Sequence, residues 1–352
     1  MIKCGASPSG RAPAPHSFLQ VRYTSPMNRA AYLLGMLVAI ASGSALAAPA
    51  DARWDLACAY PASNYHTKNL EQFAADVERG TGGRLRIAVH PNATLYKAPE
   101  IKGAVETGRV EAGEILLVNF ESEDAFFGLD GIPFLATSYV DAMKLYKASR
   151  KSLDERLARQ GLKLLFTVPW PPQGIYTNRK LTAGADLRGL KWRATSPATT
   201  QFAELVGAHA VALPPADVPQ ALASGVLDSY LSSAATGYDS RMYEELKYFL
   251  DARAWLPKNA VIVGRKAFDS LDKPTQAALV RAAADAETRG WKMSEERNAW
   301  YVEQLRAKGM TIVAPSEELT ADLRKAGNAM LADWVRRNGA DARRIIAAYR
   351  SM

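Results

Sequence analysis

One short pattern occurs twice in this chain at identical spacing. Glu100-Ile101, Ala104-Val105, Thr107-Gly108 and Val110-Glu111 correspond to Asp217-Val218, Ala221-Leu222, Ser224-Gly225 and Leu227-Asp228. Each copy reads as a short helix stopped by glycine that feeds a strand. The elements upstream agree in order. In the first half, "WDLACAY" reads as a strand and "NYHTKNLEQFAADVERG" as an amphipathic helix closed by Gly80. "RLRIAVHP" is a strand ended by Pro91, "APEIKGAVETG" a helix, and "AGEILLVNF" a buried strand. In the second half, "LKWRA", "AVALPP" and "VLDSYL" are strands. Between the first two lies a helix with Ser196 at its N-cap, Pro197 at its first position and Gly207 just past its end. Repeated β-α-β-α-β order predicts two α/β lobes, each with a largely parallel sheet.

The connections predict a hinge. "GLKLLFTVPWPPQGIYTN" is a long extended run broken by Pro169, Pro171 and Pro172, suited to crossing between lobes. A second apolar run, "NAVIVGRKAF", follows the second lobe and is expected to return to the first. From Pro274 a helical pattern continues to Gly309, too long for one lobe and expected to span both. "SEELTADLRKAGNAMLADWVRRNG" forms a further amphipathic helix. The resulting division is 48–170 with 258–297 in one lobe, and 171–257 with 298–352 in the other.

From Met27, "MNRAAYLLGMLVAIASGSALAAPA" has a basic start, an apolar run and an A-x-A cleavage site at Ala45-Leu46-Ala47. It reads as a secretory signal over 27–47, with translation starting at Met27 and residues 1–26 lying upstream of the true start. The apolar run is short for a spanning helix, so the processed chain is not expected to cross a membrane. Cleavage removes four of the 44 basic residues (Lys3, Arg11, Arg22, Arg29) and none of the 36 acidic ones, so the formal charge falls from +8 to +4. That mild, interspersed charge does not imply nucleic acid. Cys4 is removed as well, and Cys58, in an apolar strand, reads as a small core residue with no disulfide or thiolate metal cluster. An exported chain of this size without disulfides fits a bacterial periplasm.

Catalytic signatures are missing: no G-x-S-x-G elbow, H-E-x-x-H, C-x-x-C, P-loop or G-x-G-x-x-G. The reading is therefore a non-enzyme without cofactor or metal. His66, His90 and His209 lack metal-ligand spacing and read as structural or surface residues. In open α/β sheets, ligands bind beyond the carboxyl ends of the strands. That rule selects Tyr60 to Tyr65, Leu117 to Phe120 (with Asn119), Arg193 to Ser196, and Tyr230 to Ser233; the hinge run adds Trp170 and Gln173. Arg193 is the only basic residue at these strand ends. A guanidinium fork beside the helix N-terminus at Ser196 suits a carboxylate, although a plain surface arginine fits the same pattern.

Six stretches carry a resemblance to a known family: "RLRIAVHPNATL", "EIKGAVETGRVEAGE", "GIPFL", "ADLRGLKWRATSP", "VGAHAVALPPADVPQALASGVLDS" and "YEELKYF". In order and spacing over 53–300, the chain resembles the solute-binding proteins of TRAP transporters, the C4-dicarboxylate-receptor-like family. The resemblance implies a bilobal periplasmic receptor, monomeric, that captures an organic acid for small and large membrane permease subunits driven by an ion gradient. It places the family's carboxylate-binding arginine on Arg193. A receptor for an ATP-driven importer, a sensory receptor and a periplasmic enzyme acting on an organic acid are the alternatives.

Several positions depart from better-known members. Gln173 stands where many have a second arginine, Ser232 replaces a common Asn, Pro215 a common aromatic, and Asp217 a common Glu. The loop "LLVN" is apolar where sialic-acid receptors carry Glu. One guanidinium favours a monocarboxylate. Trp170, Tyr60, Tyr238 and Trp255, with Leu117, are expected to close around a compact body, while Gln173 and Ser232 hydrogen-bond its second polar group. The expected ligand is a cyclic acid such as pyroglutamate, an aromatic acid, or a branched hydroxy- or keto-acid.

Overall fold

The computed structural model describes residues 51–352 other than 195 and 214–216. The expected leader over 27–47, the upstream stretch 1–26 and Pro215 lie outside the described residues. The strands are β1 (Ala52–Ala57), β2 (Leu85–His90), β3 (Ala112–Leu116), β4 (Leu162–Pro169), β5 (Gln173–Thr177), β6 (Lys191–Ala194), β7 (His209–Ala212), β8 (Ser229–Ser233), β9 (Tyr248–Leu250), β10 (Lys258–Gly264) and β11 (Thr311–Val313). They form two sheets, in the orders β2-β1-β3-β10-β4 and β11-β9-β5-β8-β6-β7. The helices are α1 (Tyr65–Thr81), α2 (Ala98–Glu106), α3 (Tyr139–Arg159), α4 (Pro197–Leu205), α5 (Val218–Ala223), α6 (Ala234–Asp239), α7 (Arg265–Asp269), α8 (Lys273–Ala307) and α9 (Glu317–Arg350).

The β-α-β-α-β order holds in both halves, but the sheets are mixed rather than largely parallel, because the crossing strands β10 and β5 run antiparallel to both of their neighbours. β1 pairs parallel with β2 and β3, and β6 pairs parallel with β7 and β8. Two local details differ. Helix α1 ends not at Gly80 but at Gly82, whose positive φ of 63° is open to a residue without Cβ. "AGEILLVNF" is a strand only to Leu116. Its neighbour β10 offers its last pairing residue, Asn259, opposite Leu116. Without a ladder partner the backbone of Leu117–Phe120 turns into a 3₁₀ helix and bonds locally.

The chain crosses between the sheets after β4 and returns before β10. The two crossings are hydrogen-bonded to each other: Trp170 N to Pro257 O at 2.8 Å, Gln173 N to Trp255 O at 2.9 Å, and Ala254 N to Gln173 O at 2.9 Å. Helix α8 starts at the Asp272 cap and reaches both sheets. At its first-sheet end, Trp291 Nε1 donates to Thr167 O on β4, while Tyr301 and Leu305 pack in a core shared with Phe249 of β9. Helix α9 departs from the division above, which gave all of 298–352 to the second lobe. Leu319, Leu323 and Met330 do pack with Trp192 and Phe202 beneath the second sheet. Trp334, Ile345 and Ile346 instead join the first-sheet core with Leu145 and Leu153 of α3. Non-helical geometry at Gly339 breaks the helix within this second half.

A buried ion pair pins the returning strand. Lys258, 2% exposed, pairs with Asp130, 8% exposed, just where β10 re-enters the first sheet. Removing one partner strands a buried charge. Asp130→Ala should therefore cost about 3–5 kcal/mol in urea denaturation, and Lys258→Met in the same chain should recover most of it. Equal midpoints for wild type and Asp130→Ala would refute the pinning.

Candidate functional site

Register places the second-lobe half of the site. Arg193 lies opposite Tyr230 in the β6–β8 pair, and Tyr230 opposite Tyr176 in β8–β5. Side chains alternate along a strand, so Ser232 shares the face of Arg193 and Tyr230. Gln173, opposite Ser233, stands on the other face at the hinge end of β5. Its side-chain amide donates to Pro171 O at 2.9 Å.

Arg193 is 4% exposed. Its Nε and Nη2 donate to the Leu213 carbonyl at 3.1 and 3.0 Å, and Nη1 donates to the Tyr230 hydroxyl. The guanidinium carbon stands 4.9 Å from the centre of the Tyr230 ring. These contacts orient the fork and use some of its donors, but they supply dipoles and a ring face rather than a counter-charge. Among the described residues no carboxylate is paired with it. Ser196 caps α4 next door. Its Oγ accepts from Thr199 N at 3.3 Å and its own N–H donates to Thr199 Oγ1 at 2.9 Å, so both of its polar groups are engaged within the cap.

The first-lobe half is an aromatic corner over a buried polar cluster. Tyr60, just past β1, meets Trp170 of the crossing edge-on, with ring centroids 5.0 Å apart. His66, in the first turn of α1, packs 4.4 Å from Trp170 and is 1% exposed. Behind it Glu114 Oε1 lies 3.1 Å from His66 Nδ1, and Cys58 Sγ donates to Glu114 Oε2 at 3.3 Å. Cys58 is a core residue, and burial together with the Glu114 charge pushes its thiol pKa up. His90 pairs with Asp55 at 2.7 Å and His209 is exposed on β7.

Other expected site residues are placed elsewhere. Leu117 is buried in the core with Phe126 and Leu129, because the 3₁₀ turn rotates it inward. Asn119 is exposed on that turn. Trp255 packs edge-on against Phe202 at 5.8 Å within the second-lobe core. Tyr238 joins Tyr243, Trp300 and Tyr301 where α6 meets α8. Conversely, the Tyr230 hydroxyl, the Leu213 carbonyl and Asn259 contact the expected site residues Arg193, Trp170 and Tyr60. Tyr230 begins a strand end already selected. Asn259 follows Lys258 at the polar head of an otherwise apolar strand, a signal that was available. A carbonyl that turns toward a guanidinium has no side-chain signature.

The lobes meet around these residues. Asn64 Nδ2, at the cap of α1, donates to Asp239 Oδ2 at the end of α6 at 2.9 Å. Val118 of the first lobe packs into the cluster holding Ile175 and Ala198 of the second.

Among the described residues the Tyr230 hydroxyl is the side-chain acceptor for Arg193, which makes it testable. Tyr230→Phe keeps the ring and removes that acceptor from a buried charge. A loss of about 1.5–3 kcal/mol is expected in chemical denaturation of the ligand-free protein; an unchanged midpoint would show that the hydroxyl does not hold the guanidinium.

Comparison with known proteins agrees with this architecture. The family model for bacterial extracellular solute-binding protein, family 7 (DctP) matches residues 57–338. DctP6 of Bordetella pertussis, an extracytoplasmic solute receptor binding pyroglutamic acid, is 54% identical. The match covers 85% of this chain and 100% of that one, with a TM-score of 0.83. DctP7 of the same organism, also described as binding pyroglutamic acid, is 40% identical over 85% of this chain and 99% of its own, with a TM-score of 0.82. A TRAP solute-binding protein from an unidentified marine microbe, solved with co-purified pyroglutamate, is 38% identical over 86% and 100%, with a TM-score of 0.83.

Proposed function

The chain belongs to the bacterial extracellular solute-binding protein family 7, and from that premise we propose that it is the periplasmic receptor of a TRAP transporter with pyroglutamate as its ligand. The observation that carries this reading is Arg193: a buried guanidinium, oriented by a carbonyl and a tyrosine, with no carboxylate paired to it among the described residues. Burying a charge is costly unless it is paired, so the site favours a ligand that brings one anion. A single guanidinium fits one carboxylate. Pyroglutamate has one carboxylate on a small flat lactam, and the Tyr60–Trp170 corner suits a compact ring. Ser232, on the face of Arg193, serves the lactam group, and Gln173 shapes the hinge side. The three pyroglutamate-binding neighbours named above support the same ligand.

Binding joins the two halves. The carboxylate is held from the second lobe and the ring is covered from the first, so both interactions are complete only when the lobes close. The closed receptor then presents the acid to the membrane permease subunits. No described helix is long and apolar enough to cross a membrane, consistent with a receptor that works beside a separate permease.

Calorimetry on the processed protein tests this reading. Pyroglutamate should bind and raise the melting temperature. Arg193→Ala should lower affinity at least about a hundredfold, from a buried-pair loss of about 3–5 kcal/mol, with the fold retained by circular dichroism. Arg193→Lys should also bind poorly, since an ammonium does not reproduce the fork. Near-wild-type affinity in Arg193→Ala would eliminate the proposed anchor.

A further inference from the structure

We propose that Asn259 is a specificity-determining positioning residue. By taking up the polar ends of Tyr60 and Trp170, it turns two amphipathic aromatics into an apolar wall. The inference rests on the reading above, in which these two rings cover the ligand.

Asn259 lies in β10 and is 1% exposed. Its Oδ1 accepts from Trp170 Nε1 at 2.9 Å and from the Tyr60 hydroxyl at 3.2 Å. A tryptophan has one N–H and a tyrosine one O–H, so a single side-chain oxygen engages the side-chain donors of both rings. The two donors come from segments far apart in the chain, the loop after β1 and the crossing after β4. The shared acceptor therefore also sets their mutual angle, an edge-on 67°. The other end of the amide faces His66 Nδ1 at 3.4 Å. That nitrogen lies closer to the Glu114 carboxylate, at 3.1 Å.

The consequence is selectivity by removal of donors. A hydroxylated acid entering the cleft loses water hydrogen bonds and finds neither the phenol nor the indole of this wall free to donate. A compact ring with few hydroxyls loses little. The same apparent chemistry, Tyr beside Trp, would accept sugar-like acids if the Asn259 oxygen were absent, because a free phenol and indole N–H are good partners for hydroxyls. Asn259 acts through Tyr60 and Trp170 rather than by touching the ligand.

Two measurements test this on the processed protein carrying Asn259→Ser or Asn259→Leu. The first needs no ligand. In ¹⁵N-tryptophan-labelled protein the Trp170 indole signal, assigned by its loss in Trp170→Phe, should move upfield and exchange faster with solvent in both variants. An unaltered indole signal overturns the clamp. The second is the affinity ratio of pyroglutamate to a six-carbon sugar acid such as gluconate, by calorimetry. The ratio should fall at least tenfold, and Tyr60→Phe added to Asn259→Ser should recover part of it by removing the released hydroxyl. Equal weakening of both acids, with the ratio unchanged, reduces Asn259 to a structural residue and overturns the proposal. Should Asn259→Leu fail to fold, Asn259→Ser carries both measurements. Should wild type not bind pyroglutamate, the ligand reading fails by itself. The ratio is then taken with the organic acid that most raises the wild-type melting temperature, and the indole measurement stands as before.

Discussion

A buried guanidinium whose charge the described protein contacts leave uncompensated organises this structure. Removing an arginine from water carries a penalty that dipoles offset only in part. The protein supplies such dipoles from a carbonyl at Leu213 and a hydroxyl at Tyr230, together with an aromatic face. Each of these fixes the fork without neutralising it. Register does the placing. The parallel β6–β8 pair sets Arg193 beside Tyr230, and the antiparallel β8–β5 pair ties that position to the hinge. The buried Arg193 is thereby connected, through one sheet, to the strand that follows the first crossing between the lobes.

Much of this frame is legible in the amino-acid order because it is local. Asn64, Ser196-Pro197 and Asp272 mark helix starts by short-range hydrogen bonds, and glycines at Gly207 and Gly225 mark turns that need positive φ. The repeated helix–glycine–strand units yield the two sheets for the same reason. What stayed hidden depends on distant partners. The strand through Leu117 stops because β10, far along the chain, ends its pairing there. Helix α9 divides its packing because two separate cores offer it apolar surface, and its own amphipathic pattern does not say which. Of the aromatics expected at the cleft, Tyr60 and Trp170 meet, whereas Trp255 and Tyr238 fill cores. Periodicity reports that a ring is buried, not against what.

The two lobes repeat one topology and carry opposite chemistry. The strand ends of the second lobe supply a cation, and those of the first supply rings backed by Glu114, His66 and Asn259. That buried cluster is expensive to assemble, and Asn259 ties it to both rings by hydrogen bonds, so it lends the aromatic corner rigidity. Rigidity matters because ligand recognition by ring faces depends on angle and distance more than on the formation of a particular hydrogen bond.

On the proposed reading, this division of labour sets what a ligand must be. A carboxylate alone would satisfy Arg193 and leave the aromatic corner wet. A neutral ring alone would cover the corner and leave the guanidinium bare. Neither contact by itself favours closure strongly, since each involves one lobe. A ligand shifts the open–closed equilibrium only by its differential affinity for the two states. Both contacts must therefore be made within one small molecule, with the anion and the ring body near each other. Size enters the same way: a longer acid would hold the lobes apart at contacts such as Asn64 with Asp239. The compactness of the proposed ligand would thus follow from where the cation and the rings sit on the two sheets.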